Sequence, residues 1–333
     1  MKKISFFSDV FVKNACFEVD GPYNRDGFLN FFVSLKDEFA KKGYDLSTSD
    51  LNKVSSAQAL IFNESPANIE KYHSFPNKLL LSLESPLFNK RNSDVMLHEN
   101  YTKVFTWNDS LIDNKRYFKV NYAFTLPNHL EAKSFSGKKL VCVIAGHKKS
   151  SFPNELYSER EKAIKWYQEH APEDFDLYGI GWDKYQFSVP FLSKVLNRLV
   201  TIRTSEFSSY KGKVESKHEV MRNYKFAICY ENIYGDSGYI TEKFFDAMVA
   251  GCIPVYLGAP NIKEYVPEEC FIDKRDFGNY SELHDFLRNM SQDEYFSYLE
   301  AIDAFFKSAK SNSFRAEFFA KTVVDEVLKE IDG

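Results

Sequence analysis

The residues with the clearest chemical potential lie in one stretch of the chain, residues 224–260. This stretch contains two carboxylates, an amide, a phenol and an amine: Glu231, Asn232, Tyr239, Glu242 and Lys243. Carboxylates and amides exchange hydrogen bonds with hydroxyl groups, and a lysine binds phosphate as a point charge. These residue types, placed together, favour a nucleotide or phosphate ligand.

The elements predicted around these side chains support that interpretation. Residues 226–229 and 253–258 are short apolar runs, which is typical of strands buried on both faces. Between them, Thr241 can cap a helix that ends at Gly251 and has apolar residues at i, i+4 spacing. Such a unit brings polar residues to the carboxyl end of a parallel sheet and to a helix N-terminus, where nucleotides and phosphates bind.

The stretch resembles the signature of the α-1,3-fucosyltransferase family. The matching pieces are YKF-x-x-x-x-EN, then G-Y-[IV]-TEK, then IPV-x-x-G-x-P, and they occur in the family's order. A generic strand–helix–strand unit would explain the apolar residues equally well. It would not explain why these polar residues occur together.

The resemblance implies an α/β, GT-B-like fold with two Rossmann-type domains facing a cleft. Residues 1–132 would form an acceptor-binding domain, and residues 138–333 a GDP-fucose-binding domain that includes the terminal helices. The implied reaction moves L-fucose from GDP-fucose to a hydroxyl group of an oligosaccharide acceptor, with inversion. We expect an α-1,3 linkage to N-acetylglucosamine or glucose in a lactosamine-like unit of lipopolysaccharide. No metal cofactor is expected to be essential, and a divalent metal would at most stimulate.

The resemblance also implies roles for individual residues in donor binding. Lys243 and Arg160 would hold the diphosphate, and Glu242 would accept hydrogen bonds from the ribose. Tyr239 and Asn232 would contact the donor. Arg160 begins a helix predicted over residues 160–169, at a position that matches the family's arginine only loosely.

Glu84 is the candidate general base. It follows the apolar run 79–83 and begins a Glu-Ser-Pro tripeptide, which places it at the carboxyl edge of a predicted sheet. On the tripeptide alone, a surface carboxylate that begins a turn is the simpler interpretation. The family, however, carries this tripeptide in its N-terminal domain, before an aromatic stretch similar to residues 104–110. Some bacterial members have a second glutamate two positions earlier, where this chain has Ser82.

The rest of the chain predicts alternating strands and helices in two domains joined by a linker at 131–139. Residues 145–149, at the end of a predicted strand, form either a solvated turn or a diphosphate-binding loop. Three helices end the chain, and Ser291 with Glu294 predicts a capping box at the second. Strands are predicted at 4–7, 44–47, 59–62, 78–83 and 140–144, a strand with its turn at 175–181, and a helix at 28–42.

Composition limits the class of protein. The chain has 333 residues, which favours two domains, and its net charge of −4 argues against nucleic-acid binding. Its five cysteines are scattered, without metal-ligand spacing, and we expect buried, reduced thiols. No signal peptide and no run of 18 apolar residues is visible, as in the soluble bacterial members. We expect a cytoplasmic protein whose membrane contact, at the inner membrane, is at most peripheral.

Two alternatives remain at this point. One is a transferase on the same scaffold that uses another nucleotide sugar. The other is a glycan- or nucleotide-binding module without turnover.

Overall fold

A computed structural model describes residues 1–130, 134–185, 202 and 206–332 of the chain. The predicted boundary residue at 132 and part of the predicted linker therefore lie outside the described residues. Two compact units are present. The first comprises Met1–Leu126, Asp236–Glu242 and Ser308–Gly333, and the second comprises Pro127–Gly235 and Lys243–Lys307.

The strands are named here in chain order. They are β1 (Lys2–Phe7), β2 (Tyr44–Thr48), β3 (Ala57–Asn63), β4 (Lys78–Ser82), β5 (Lys103–Thr106), β6 (Tyr117–Lys119), β7 (Lys139–Ile144), β8 (Phe175–Tyr178), β9 (Tyr224–Tyr230), β10 (Ile253–Leu257) and β11 (Ile272–Asp273).

The α-helices in the described residues are named in the same way. They are α1 (Asn30–Lys41), α2 (Val95–His98), α3 (Tyr157–His170), α4 (Lys217–Met221), α5 (Glu242–Val249), α6 (Ile262–Tyr265), α7 (Tyr280–Asn289), α8 (Gln292–Lys307) and α9 (Ala316–Asp332).

The first unit is built on a six-stranded sheet with the strand order β2-β1-β3-β4-β5-β6. Every pair of neighbouring strands is parallel. The central strands are nearly continuous apolar runs because both of their faces are covered, and residues 79–81 are fully buried. All the carboxyl ends of these strands lie at the same edge of the sheet.

The last helix belongs to this first unit. In the first unit, α9 packs on α1, and the rings of Phe31 and Phe319 meet edge to face at 5.2 Å. Lys103 at the start of β5 pairs with Glu326 of α9 at 2.9 Å. The predicted ranges placed all three terminal helices with the second domain; α7 and α8 lie in the second unit, and α9 lies in the first. Phe318 lies outside the buried face of α9, since that residue is 49% exposed.

The second unit contains a five-stranded, all-parallel sheet with the order β11-β10-β9-β7-β8. Strand β9 lies at its centre and is buried along almost its whole length. Helix α5 connects β9 to β10 and buries its apolar face, as the i, i+4 spacing predicted. The predicted capping box is confirmed, because Ser291 N and Glu294 N each donate to the other residue's side chain.

These two sheets confirm the predicted α/β class with two parallel-sheet domains. All five cysteines are free and buried, as expected. In the part of the chain that the structure describes, no helix is both long and apolar enough to cross a membrane.

Candidate active site

The carboxyl end of β9 forms the centre of the donor-type motif. Glu231 follows this strand, is fully buried, and donates its backbone N–H to Leu257 O of β10 at 2.8 Å. Gly258 makes this close approach possible, because a Cβ atom there would lie 2.5 Å from Glu231 Cγ. Asn232 is also buried, and its backbone oxygen accepts a hydrogen bond from Leu156 N at 2.9 Å.

Arg160 reaches this strand end from helix α3. Its side chain is buried, and Nη2 donates to Tyr230 O at 2.6 Å and to Glu231 O at 3.1 Å. Helix α3 begins at Tyr157, three residues before the predicted start, so Arg160 lies in its first turns. A buried guanidinium that holds two carbonyl groups is fixed in place and keeps its charge.

Three cations converge on a narrow pocket in the second unit. Arg160, Lys217 and Lys243 line this pocket together with Asp246. Lys243 Nζ lies 3.6 Å from the buried Glu231 carboxylate, and Lys217 Nζ lies 2.6 Å from Asp246. Arg160 and Lys243 were both predicted from the sequence to be diphosphate ligands. The structure brings them to one pocket.

The other two donor-type residues lie in a segment that the fold assigns to the first unit. Residues 236–242 carry Tyr239 and Glu242 and pack on the carboxyl end of β5. The Tyr239 ring is buried, at 4.8 Å from the Trp107 ring and 6.3 Å from the Tyr122 ring. The sequence motif is therefore divided: Arg160, Asn232 and Lys243 belong to one unit, and Tyr239 and Glu242 to the other.

Gly238 fixes the segment 236–242 against the first sheet. Its φ of +86° is in the left-handed region, and a Cβ atom there would lie 2.3 Å from Trp107 O. Asp109 N donates to Ser237 O at 3.3 Å, and Lys119 Nζ donates to Trp107 O and to Asp109, both at 2.6 Å. The positions of Tyr239 and Glu242 therefore depend on a glycine that permits this contact.

Glu84 lies where the prediction placed it, two residues beyond β4 at the carboxyl edge of the first sheet. It is partly buried. The indole N–H of Trp107 donates to Leu83 O at 2.7 Å, which ties the end of β4 to the end of β5. Glu84 thus belongs to a turn whose backbone is held by this hydrogen bond.

A second carboxyl group, which the sequence reasoning missed, stands beside Glu84. Glu64 follows β3, and its Oε1 accepts hydrogen bonds from Leu83 N at 3.2 Å and from Glu84 N at 3.1 Å. Burial and the neighbouring Glu84 carboxylate raise the pKa of Glu64 to about 8. Glu64 itself begins a Glu-Ser-Pro tripeptide. The repeated tripeptide is the sequence signal that could have revealed it.

The pKa of Tyr122 depends on the carboxyl groups that surround it. Burial raises its pKa well above the usual value, and the charges of Glu84, Glu64 and Glu242 act in the same direction. Three carboxyl groups, those of Glu64, Glu84 and Glu242, therefore lie near Tyr122 in the first unit. Such an environment favours a group that accepts a proton.

The basic residues that follow β7 lie in two different environments. His147 is buried and stacks on Trp182 at 4.4 Å, and its Nε2 lies 3.8 Å from Glu161. Lys148 and Lys149 line a different pocket, shared with Lys162 and Lys165 of α3. The two predicted alternatives for this loop, a solvated turn and a diphosphate-binding loop, both stay open.

Two parallel-sheet α/β domains, with cations at the edge of one sheet and carboxyl groups at the edge of the other, agree with the expected GT-B-like fold. The family model described as glycosyltransferase family 10 (fucosyltransferase), C-terminal part, matches residues 138–323, more than half of the chain. The chain belongs to this family.

Named relatives share parts of the sequence. The chain is 37% identical over 75 residues to the α-(1,3)-fucosyltransferase FucT of Helicobacter pylori, a match that covers 22% of this chain and 16% of that protein. It is 38% identical over 76 residues to an α-(1,4)-fucosyltransferase of Arabidopsis thaliana, covering 23% and 19%. A longer match, 23% identical over 308 residues, joins 85% of the chain to 48% of a putative fucosyltransferase of Acanthamoeba polyphaga mimivirus. The chain thus spans half or less of these relatives' lengths.

Solved structures share the fold over nearly the whole chain. An α1,3-fucosyltransferase crystal structure aligns with a TM-score of 0.57 at 16% identity, covering 99% of this chain and 90% of that one. An α-glucosyltransferase in complex with UDP-glucose and DNA aligns equally well, at 11% identity and with 98% and 99% covered. At these identities the likeness concerns the fold alone.

Proposed function

We propose that this chain is an inverting fucosyltransferase that moves L-fucose from GDP-fucose to a hydroxyl group of an oligosaccharide. The observation that carries the proposal is the convergence of Arg160, Lys217 and Lys243 on one pocket, in a chain of glycosyltransferase family 10. Transfer of a glycosyl group leaves negative charge on the departing diphosphate, and preorganised cations stabilise that charge.

The donor residues divide the work according to their chemistry. Arg160 and Lys243 hold the diphosphate, with Lys217 as a third cation. Lys243 is in the first turn of α5, where the helix dipole disfavours a cation. A bound anion and the buried Glu231 carboxylate, 3.6 Å away, both offset that cost. Glu242 accepts hydrogen bonds from the ribose, and Tyr239 and Asn232 contact the donor.

The chemical step is a single displacement at the anomeric carbon. Glu84 takes the proton of the acceptor hydroxyl group as the hydroxyl oxygen forms its bond to that carbon. The bond from the carbon to the diphosphate breaks at the same time, and GDP leaves with its electron pair. A β-linked donor then gives an α-linked product. No essential metal is included in this proposal, and a divalent metal would at most stimulate.

The finer assignment is an α-1,3 linkage to N-acetylglucosamine or glucose in a lactosamine-like unit of lipopolysaccharide. It rests on the resemblance of the motifs and on the relative named as an α-(1,3)-fucosyltransferase. Another relative is named as an α-(1,4)-fucosyltransferase, so linkage analysis of the product is part of the test. We place the protein in the cytoplasm, with any contact to the inner membrane peripheral.

Donor choice is tested by heat denaturation with GDP, UDP, GDP-fucose, GDP-mannose and UDP-glucose, followed by donor consumption with a lactosamine acceptor. GDP at about 100 times its dissociation constant should add ~2.7 kcal/mol to the free energy of unfolding. UDP should add much less. Equal protection by both nucleotides would contradict the donor assignment and favour another nucleotide sugar. Binding of GDP-fucose without consumption across an acceptor panel would favour a binding module.

A further inference from the structure

The first unit contains the Glu-Ser-Pro tripeptide twice, once after β3 and once after β4. These strands are parallel neighbours in the sheet, so both tripeptides stand at its carboxyl edge. Glu64 N donates to Leu81 O of β4 at 3.0 Å, which extends the pairing of the two strands by one residue. The two glutamates therefore leave adjacent strand ends on the same side of the molecule.

The Glu64 carboxyl group is tied to the backbone that carries Glu84. Its Oε1 accepts the N–H groups of Leu83, at 3.2 Å, and of Glu84, at 3.1 Å. Asn92 Nδ2 donates to Glu64 Oε2 and also to Glu84 O, at 2.9 Å. Both peptide groups of Glu84 are thus held by Glu64 or by a side chain that contacts Glu64.

The backbone of Glu64 departs from ordinary strand geometry to make these contacts. Its φ is +72°, in the left-handed region that residues with a side chain rarely adopt. Such a conformation persists only where the surroundings fix it, and it is concentrated at functional sites. Here the three hydrogen bonds to the carboxyl group supply that constraint.

The charges around Glu64 favour its neutral form. Burial raises the pKa of Glu64 to about 8, and the Glu84 carboxylate adds to that effect, whereas the hydrogen bonds from Asn92, Glu84 N and Leu83 N oppose it. Tyr122 faces the same carboxyl groups, and its own pKa is raised. From the 89–93 loop, Arg91 Nε is bound to Ser65 O at 2.9 Å.

Two neighbouring groups complete this surrounding. Burial raises the pKa of Tyr101, which is hydrogen-bonded to Ser65, to about 12, and burial lowers that of His98. Neither group is charged near pH 7. Burial therefore favours the protonated form of Glu64 beside Glu84.

We propose that Glu64 is a positioning residue for Glu84: its carboxyl group accepts the backbone N–H groups of Leu83 and Glu84 and so fixes the turn that carries Glu84. The inference rests on the proposed function for its kinetic part only. During transfer, the acceptor proton goes to Glu84 and Glu64 keeps its own. When Glu64 ionises, it and Glu84 are two neighbouring like charges. Their repulsion then moves the Glu84 carboxylate away from the acceptor hydroxyl group.

The kinetic test compares Glu64→Gln, Glu64→Ala and the control Glu70→Gln, an exposed glutamate of the same unit. Wild type should lose kcat as the pH rises through about 8, and Glu64→Gln should not, because glutamine stays neutral while keeping an acceptor for the two N–H groups. Glu64→Ala should lower kcat about 10- to 100-fold with the KM for GDP-fucose unchanged, since small misplacements cost on that scale. The control should behave as wild type.

Two kinetic results would overturn the inference. One is an unchanged alkaline fall of kcat in Glu64→Gln. The other is a loss of more than about 100-fold at pH 7 in Glu64→Gln, which would make Glu64 itself the base.

A second measurement needs no transfer reaction. The pKa of Glu64 is raised from its ordinary value of 4.5 to about 8. The stability contributed by its neutral form is therefore complete below about pH 4.5 and is lost as the pH rises toward 8. Relative to Glu64→Gln, wild type should lose thermal stability across that window. The loss should be smaller when both proteins carry Glu84→Gln, because the neighbouring charge is gone.

The two measurements separate the two possible failures. A stability difference that does not depend on pH, or that Glu84→Gln leaves unchanged, contradicts the pairing of Glu64 with Glu84. If the pH-dependent coupling is present but no fucosyl transfer occurs, the proposed function fails while the carboxyl pair stands.

Discussion

The two units use the same architecture to place residues of opposite charge. Each has a parallel sheet whose carboxyl edge carries the polar residues. In the second unit, Arg160, Lys217 and Lys243 line one pocket at that edge. In the first unit, Glu64 and Glu84 stand together beside the buried Tyr122.

In both units, the edge of the sheet determines where the polar residues lie. The charge of these residues determines which chemistry they suit. Cations suit a departing diphosphate, and paired carboxyl groups suit the removal of a proton. Ionisable side chains at both edges are held by hydrogen bonds to backbone groups: Arg160 donates to two carbonyl groups, and Glu64 accepts two N–H groups. On the proposed function, changes at Glu84 in the first unit should alter turnover, and changes at the cations of the second unit should alter affinity for the donor.

The largest expected effect is that of Glu84→Gln on turnover. Glutamine preserves the shape of the side chain and the backbone contacts with Glu64, but it cannot accept the proton of the acceptor hydroxyl group. The transfer rate should fall about 10²- to 10⁴-fold, the usual contribution of general-base catalysis. Single-turnover kinetics with GDP-fucose measure this. Turnover within a few-fold of wild type would show that another carboxylate acts as the base.

A smaller effect, on affinity, is expected from Lys243→Ala. One charge-assisted contact with the diphosphate is lost, which is worth about 1.5–3 kcal/mol, or about 10- to 100-fold in the dissociation constant for GDP. Lys307→Ala is the matched control, because Lys307 lies in the same unit in an exposed pair with Asp303. Calorimetric titration with GDP compares the two. Equal affinities would return Lys243 to a purely structural role as the partner of Glu231.

The smallest expected effect is that of Gly238→Ala. The substitution combines a strained φ of +86° with a Cβ atom only 2.3 Å from Trp107 O, so it should destabilise the protein by about 1–3 kcal/mol. Gly43→Ala is the control, since Gly43 has a φ of +83° with open space around it. Denaturant unfolding should show a larger loss for Gly238→Ala. Equal losses would mean that the segment 236–242 accommodates the added methyl group without a further loss of stability.

The sequence predicted the parts of this molecule whose information is local. The i, i+4 apolar spacing in 244–249 predicted helix α5, and the pair Ser291 and Glu294 predicted a capping box. Strands β1, β3, β4 and β9 were predicted because buried parallel strands are apolar along their length. The arginine at position 160 was placed on a helix that does reach the end of β9.

The remaining features depend on contacts between distant residues. Glu64 contacts the backbone of Glu84, 20 positions along the chain, and the side chain of Asn92, 28 positions along. The repeated tripeptide marks the two glutamates but does not predict these contacts. The segment 236–242 packs on the first unit because Gly238, which has no side chain, lets Trp107 O approach closely. Nothing in the sequence around either residue predicts this contact. The terminal helix α9 has an ordinary apolar stripe, which does not identify the unit it covers.

The central claim is the division of labour between Glu84 in the first unit and the cations of the second unit, and one paired measurement tests it most directly. GDP affinity and the single-turnover transfer rate are measured for Glu84→Gln and Lys243→Ala. The account predicts that Glu84→Gln keeps GDP affinity within about two-fold while losing at least about 10² in rate. Lys243→Ala should lose about 10- to 100-fold in GDP affinity. Its rate at saturating donor should fall far less than that of Glu84→Gln. Parallel losses of affinity and rate in both variants would contradict the account.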